Sequence, residues 1–193
     1  VEFHNFGKIT RLSKEIVVTE KIDGTNAQVF IRQLPGHEEM PTDTPIVAVV
    51  GDLLIYAGSR TRWIVPGDDN FGFAAWAKDN SEELSKLGIG HHFGEWWGKG
   101  IQRGYGLDEK KFSLFNSSRW EAKSTPKCCS IVPTLYRGSF DTDNIRITLD
   151  DLKRSGSAAA PGFMNPEGIV IYHTAANILF KKTFDGDNHK ICI

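Results

Sequence analysis

"VVTEKIDGTNAQVF", residues 17–30, sets a lysine between two apolar, alternating runs and follows it with Asp-Gly-Thr-Asn. Alternation over Glu15–Glu20 and Ala27–Arg32 has the period of two expected of half-buried strands, so Lys21 falls where one strand ends. Two readings fit a lysine there. It is an ordinary strand-end lysine, or it is an amine kept near its partners because it must shed a proton and attack something. Glu20 and Asp23 sharpen the choice, because carboxylates beside an amine favour its charged, unreactive form.

The totals frame the question. A chain of 193 residues with 40% apolar and 11% aromatic content is large enough for one domain, or two small ones, with a real core. Lys plus Arg is 23 and Asp plus Glu is 24, so net charge gives no sign of a polyanion partner. Locally the balance differs. Residues 99–127 hold seven bases against three acids, next to Trp96, Trp97, Phe112 and Trp120. Such a stretch either follows a nucleic-acid backbone or is a solvated, lysine-rich loop. Cys128, Cys129 and Cys192 make neither a disulfide framework nor paired zinc knuckles. A reducing interior fits them best, no apolar run reaches 18 residues, and no leader pattern opens the chain, so the expectation is a soluble, cytoplasmic protein.

Along the chain, residues 34–45 read as a proline-bearing loop and Ile46–Tyr56 as a hairpin broken at Gly51-Asp52. Asn70–Leu87 reads as helix, capped by Asn70, restarted at Asn80 with Glu83 and ended by Gly88. Strands are expected near 91–97, 111–116 and 131–137, then a short helix over Leu149–Arg154 capped by Thr148. Two last strands, 167–173 and 177–184, meet at a turn near Ala175 and Ala176. Strands outnumber helices and most neighbours are hairpin-linked, which predicts an α+β fold with largely antiparallel sheets and flanking helices.

Several familiar motifs fail. "GKGIQRGYG" from Gly98 has the wrong glycine spacing for a dinucleotide fingerprint. "GEWWGKG" from Gly94 is one residue short of a phosphate loop and lacks its Ser or Thr. His91 and His92 are adjacent on a strand, so they face opposite ways and cannot share one ion. No Gly-x-Ser-x-Gly elbow exists.

One series survives. "KIDGTN" is followed in order by "SRTRW", by "FGEWWG" with Glu95, by "LFN" with Phe115, by "NPEGIVIYH" with Glu167 and by "ILFKKTFD" with Lys181. This series resembles the covalent nucleotidyltransferase superfamily of ATP-dependent DNA ligases, RNA ligases and mRNA capping guanylyltransferases. The likeness runs over roughly residues 20–184. DNA ligases and capping enzymes usually carry arginine where Asn26 stands, and Asn26, with "GKGIQ" and "SRTRW", resembles the nick-sealing, RNA ligase 2-like branch.

The resemblance implies an adenylyltransferase fold in a single domain over 1–193; the C-terminal accessory domain of larger ligases is not expected here, which leaves open a naturally minimal enzyme, an adenylyltransferase core alone, or a partner that supplies that domain's function. It implies ATP and Mg2+ (or Mn2+) as cofactors and nicked or broken RNA, or an RNA/DNA hybrid, as partner, with no membrane involved. Lys21 would form a lysyl-AMP intermediate. An ordinary lysine, with pKa ~10.4, is neutral in only about one molecule per thousand near pH 7.4, so burial, a second cation and the metal must assist it. Lys181 would be that cation and hold the α-phosphate. Glu95 would accept from the ribose, Phe115 would stack on adenine, Glu167 would hold the metal, and Asn26 and Arg60 would grip ribose, phosphate or the 3′-terminal nucleotide. Glu20 would read the adenine edge through its side chain or its carbonyl.

Two departures stand out. The closing motif is usually Lys-x-Lys, but here it reads Lys181-Lys182-Thr183, so Thr183, a bulged Lys182 or Lys190 is left to take the second place. Asn116 also stands where an acid often follows the stacking aromatic. Beside the RNA ligase, the residues leave open a DNA ligase or capping enzyme on the same scaffold, and a non-catalytic nucleotide- or RNA-binding module.

Overall fold

The computed structural model describes residues 1–34, 36, 45–120 and 125–185. They divide into two compact units, one made of residues 1–21 with 133–193 and the other of residues 22–132. The first unit opens with β1 (Glu15–Lys21). The second holds β2 (Thr25–Gln33), β3 (Ile46–Val50), β4 (Leu53–Gly58), β5 (Trp63–Ile64), α1 (Phe73–Asp79), α2 (Ser81–Leu84), a 3₁₀ turn over Ser85–Leu87, β6 (Gly90–Gly98), β7 (Lys110–Leu114) and β8 (Cys129–Ile131). The chain then returns to the first unit with β9 (Thr134–Ser139), α3 (Thr142–Ser155), β10 (Gly168–His173) and β11 (Ile178–Thr183).

The first unit is a four-stranded antiparallel sheet in the order β11-β10-β1-β9. Alternation sends Ile16, Val18 and Glu20 of β1 and Ile169 and Ile171 of β10 to one buried face. Ile145, Leu149 and Leu152 of α3, spaced four and three apart, pack against that face. The helix is longer than the sequence suggests. It starts at Asp141, whose carboxylate accepts from Asp143 N–H at 2.8 Å, not at Thr148. Thr148 lies inside the helix and bonds back to the Asn144 carbonyl at 2.7 Å.

The second unit is a seven-stranded sheet in the order β3-β4-β2-β6-β7-β8, with β5 on β4. All its pairs are antiparallel except β7 with β8. Ala27, Val29, Ile31, Ile55, Trp96, Phe112 and Leu114 pack on one face against Phe73, Ala74 and Ala77 of α1. Burial of each of the valine, isoleucine, leucine and phenylalanine side chains among them stabilises by roughly 1.5–3 kcal/mol, which anchors β2 and β6, the strands that carry the site. The start of α1 is held by Asp69, whose carboxylate accepts from Ala74 and Ala75 N–H. Asn70 instead reaches Thr25 Oγ1 at 3.0 Å, and Asn80 bonds to the Trp76 carbonyl. The single strand expected near 131–137 is two strands in different sheets. Val132 N–H bonds to Leu114 in the second unit, while Pro133 accepts from Glu20 N–H in the first.

The 34–45 loop falls almost wholly outside the described residues, as do Lys190 and Cys192. Cys128 and Cys129 are free thiols with their sulfurs 3.8 Å apart. No described helix is long and apolar enough to cross a membrane.

Candidate active site

In the first unit, Lys21 ends β1 and its register partner is Gly168 of β10. Glu167 immediately precedes that strand, and its Oε2 accepts from Lys21 Nζ at 2.6 Å. Both side chains keep some access to solvent, 25% for Lys21 and 16% for Glu167. The site is tight behind them. A Cβ on Gly168 would lie 2.2 Å from the Lys182 carbonyl oxygen, so a side chain there would force β10 and β11 apart. Phe184 N–H closes the same corner on the Glu167 carbonyl at 3.0 Å.

Register also decides the lysines of β11. Val170 opposes Lys181 and Thr19, whereas Gly168 opposes Thr183 and Lys21. Directly opposed residues share a face, so Lys181 and Thr183 lie on the Lys21 side of the sheet. Strand spacing and rise put the Cα atoms of Lys21 and Lys181 about 12 Å apart, within the combined reach of two lysine side chains. Lys182 opposes Ile169, the partner of Glu20, on the other face, and the β10–β11 pairing runs without a bulge. The placement of Lys182 at the nucleotide is therefore corrected: no bulge turns it toward Lys21.

Glu20 is 1% exposed, and its Oε2 accepts from Ala158 and Ala159 N–H at 2.8 and 2.9 Å. Burial pushes its carboxyl above the ordinary range, and hydrogen bonds from Ser157 and these two amides pull it partly back. Buried on the face opposite Lys21 with one oxygen on these amides, the side chain is not presented to an adenine edge, which leaves the carbonyl for the role expected of Glu20. The same geometry answers the question raised by the sequence, since Glu20 points away from the face of Lys21.

In the second unit, Asn26 directly opposes Glu95 across β2 and β6. Asn26 Nδ2 donates to Glu95 Oε2 at 3.1 Å and Gly24 N–H donates to Oε1 at 3.2 Å. Glu95 is 8% exposed, fixed from two sides. Only glycine fits at 24, because a Cβ there would lie 2.5 Å from the Trp96 carbonyl oxygen. Phe115 continues β7 opposite Phe93, donating its N–H to that residue's carbonyl at 3.0 Å, on the same face as Glu95, and is 37% exposed. Arg60, in the exposed turn between β4 and β5, makes no hydrogen bond or ion pair among the described residues, whereas Arg62 is held by Asp68 at 2.7 and 2.9 Å.

Two residues of this site were not foreseen. Arg103 Nε donates to Asp23 Oδ2 at 3.0 Å, and Asp23 N–H donates to Tyr105 Oη at 2.8 Å. Asp23 is thus occupied by an arginine. The signal was the run Gly98–Gly106, whose glycines at 98, 100, 104 and 106 and whose Gln102 and Tyr105 all have positive φ. These turns carry Arg103 and Tyr105 back onto the start of β2, and Trp97 packs edge-on against Tyr105 at 4.9 Å.

Among the described residues no group of three His, Cys, Asp or Glu could hold a metal by itself. Glu167 is a lone carboxylate with a cation already against it, a donor set that suits an ion completed by phosphate oxygens and water.

This architecture, two mostly antiparallel sheets with few helices, is a fold shared with solved RNA ligase structures. A mutant RNA ligase of Naegleria gruberi with AMP and Mn matches with a TM-score of 0.61 at 18% identity, covering 90% of this chain and 51% of that one. Another mutant of that enzyme with ATP and Mn, and the enzyme with PPi, each match with a TM-score of 0.59 at 18% identity over 90% of this chain and 50% of that one. This chain spans about half the length of those proteins. No curated protein matches. The profile of the RNA ligase family matches residues 14–186, and the chain belongs to that family.

Proposed function

We propose that the chain is the adenylyltransferase part of an ATP-dependent RNA ligase that joins 5′-phosphate and 3′-hydroxyl ends through Lys21-AMP. The observation that carries this is the pairing of Lys21 with Glu167 at the end of β1, with both neighbouring acids turned to other partners. Glu20 is spent on backbone amides and Asp23 on Arg103, so Glu167 is the acid that holds the amine.

In the first transfer the Lys21 nitrogen bonds the α-phosphorus of ATP, the bond to the β-phosphate oxygen breaks, and pyrophosphate leaves. Lys21 gives up a proton as it does so. A divalent ion at Glu167 would neutralise phosphate charge there. Glu167 would hold such an ion in place of the Lys21 ammonium it now pairs with at 2.6 Å, and the amine would then be free to lose its proton. Lys181 approaches from the same sheet face as a second positive charge on the phosphates. Glu95 is held with both oxygens directed by Gly24 and Asn26 and accepts from ribose hydroxyls. Phe115 offers a half-exposed ring to adenine, a stack worth about 1–3 kcal/mol.

In the second transfer a 5′-phosphate oxygen of the RNA takes the adenylate, the phosphorus–nitrogen bond breaks, and Lys21 regains its proton. The 3′-hydroxyl then attacks the activated 5′-phosphorus and AMP departs. Asn26 supports the RNA-joining branch, because an amide here holds Glu95 where the other branches usually carry an arginine. The test is sealing of nicked RNA, nicked DNA and hybrid duplexes by the chain with ATP or GTP and magnesium. RNA with ATP is the expected pair, and preference for GTP with no sealing would indicate capping chemistry instead.

A further inference from the structure

The face of the second unit's sheet that carries Asn26 and Glu95 does not end with them. Register continues it along β2 to Gln28 and Phe30 and along β6 to Phe93 and His91, since Gln28 opposes Phe93 and Phe30 opposes His91. Gln28 also opposes Gly58, which opposes Trp63 of β5. The result is one row of rings leading away from Glu95. It is not core: Val29, Ile31 and Ala27 fill the opposite face, while Phe93 is 53% and Trp63 37% exposed.

The rings around His91 lie close to its plane, while Phe30 and Trp63 meet each other at 36° and 5.9 Å. His91 lies 4.2 Å from Phe30 at 20°, 6.3 Å from Trp63 at 26° and 5.8 Å from Phe93 at 8°. His91 is further held by Gln28, whose Oε1 lies 3.1 Å from its Nδ1, and Gln28 lies against Gly58, where a Cβ would be 2.7 Å from it. Pre-set rings that reach solvent suit flat π-faces, and exposed Arg60, in the turn before β5 and without an ion pair among the described residues, brings a positive charge for a phosphate.

Resting on the proposed ligase activity, we infer that the row Phe93, His91, Phe30 and Trp63 is a stacking platform for unpaired nucleotides of the RNA substrate. The occupant is single-stranded RNA because aromatic faces take splayed bases, whereas a closed duplex presents only its grooves and backbone. The platform would let bases beside the ligation end unstack onto the protein.

The test is fluorescence anisotropy of a short labelled single-stranded RNA titrated with the full chain, alongside adduct formation with ATP on the same preparations. Trp63→Ala and Phe93→Ala should each weaken RNA binding about tenfold, Phe93→Trp should keep it, and the rate of adenylation should stay within about twofold. A blunt duplex should compete poorly. Unchanged RNA affinity in both alanine variants, or equal competition by the duplex, would overturn the platform. So would a concentration-dependent dimer that Phe93→Ala abolishes while RNA affinity stays the same, since the row would then bind a second copy. Failure of the wild-type chain to take AMP would strike the ligase reading alone, and the RNA titration would still judge the platform.

Discussion

Gly24→Ala puts the account of the Lys-x-Asp-Gly turn at risk with a single methyl group. Gly24 does not have the positive φ that would add backbone strain to the change. The cost comes from contact: the new Cβ would lie 2.5 Å from the Trp96 carbonyl oxygen, 2.7 Å from Trp97 Cβ and 3.0 Å from Glu95 Cγ. The first two neighbours belong to a buried strand and cannot swing aside, so β2 must move outward by about 0.5–1 Å to restore van der Waals spacing. Overpacking of that kind costs about 1–3 kcal/mol. The Gly24 N–H bond to Glu95, 3.2 Å long, is stretched or lost with it, adding about 1 kcal/mol or more because the acceptor is charged. The sum, about 2–4 kcal/mol, should lower the urea midpoint by about 1–2 M at an ordinary m-value. Because Glu95 loses one of its anchors, transfer of AMP from ATP should slow by about 10²-fold even where the variant is folded. Equilibrium urea unfolding and single-turnover labelling measure the two effects separately. A variant as stable as the wild type and labelled at the same rate would refute the reasoning.

Other expectations follow from the same geometry. Burial raises the Glu20 carboxyl above its unfolded value of 4.5, so its contribution favours the fold at low pH and is lost as pH rises through the raised folded value. Glu20→Gln should remove that decline, and urea midpoints from acid to neutral pH should converge toward, or pass, the wild type; parallel profiles would contradict it. Lys181→Ala should slow adduct formation by about 10²-fold and Lys182→Ala by less than about threefold, because only Lys181 shares the face of Lys21. Chelation of divalent ions should abolish labelling of the wild type, and Glu167→Ala should depress labelling at every magnesium concentration, read by titrating the metal against the rate of AMP transfer.

The strands and the series of motifs were legible because they are local. Alternation over Glu15–Glu20 and Ala27–Arg32 reports burial on one face, and β1 and β2 lie there. What the sequence hid was decided by distant partners. Residues on both sides of Pro133 carry the same strand-like pattern, and only the hydrogen bonds to Leu114 and from Glu20 assign them to separate sheets. Thr148 looked like a cap because its hydroxyl bonds a backbone group, but that group lies four residues back inside the helix. Asp141, which does start α3, precedes a polar first turn with little apolar signal. The tension between Lys21 and its acidic neighbours was visible in the sequence, but its resolution was not. The partners Ala158, Ala159 and Arg103 stand some 80 to 140 residues away in the chain. Likewise, the glycine run from 98 to 106 showed that the backbone turns sharply, not that the turn returns Tyr105 and Arg103 to Asp23.

Peptide mapping by mass spectrometry, after nucleotide-stripped protein meets ATP and magnesium, addresses the chemistry at its first step. One adenylate on the peptide containing Lys21, with none anywhere on Lys21→Ala, is the predicted result. An unmodified Lys21, or an adenylate carried on a different residue, would contradict the claim that this amine is the nucleophile.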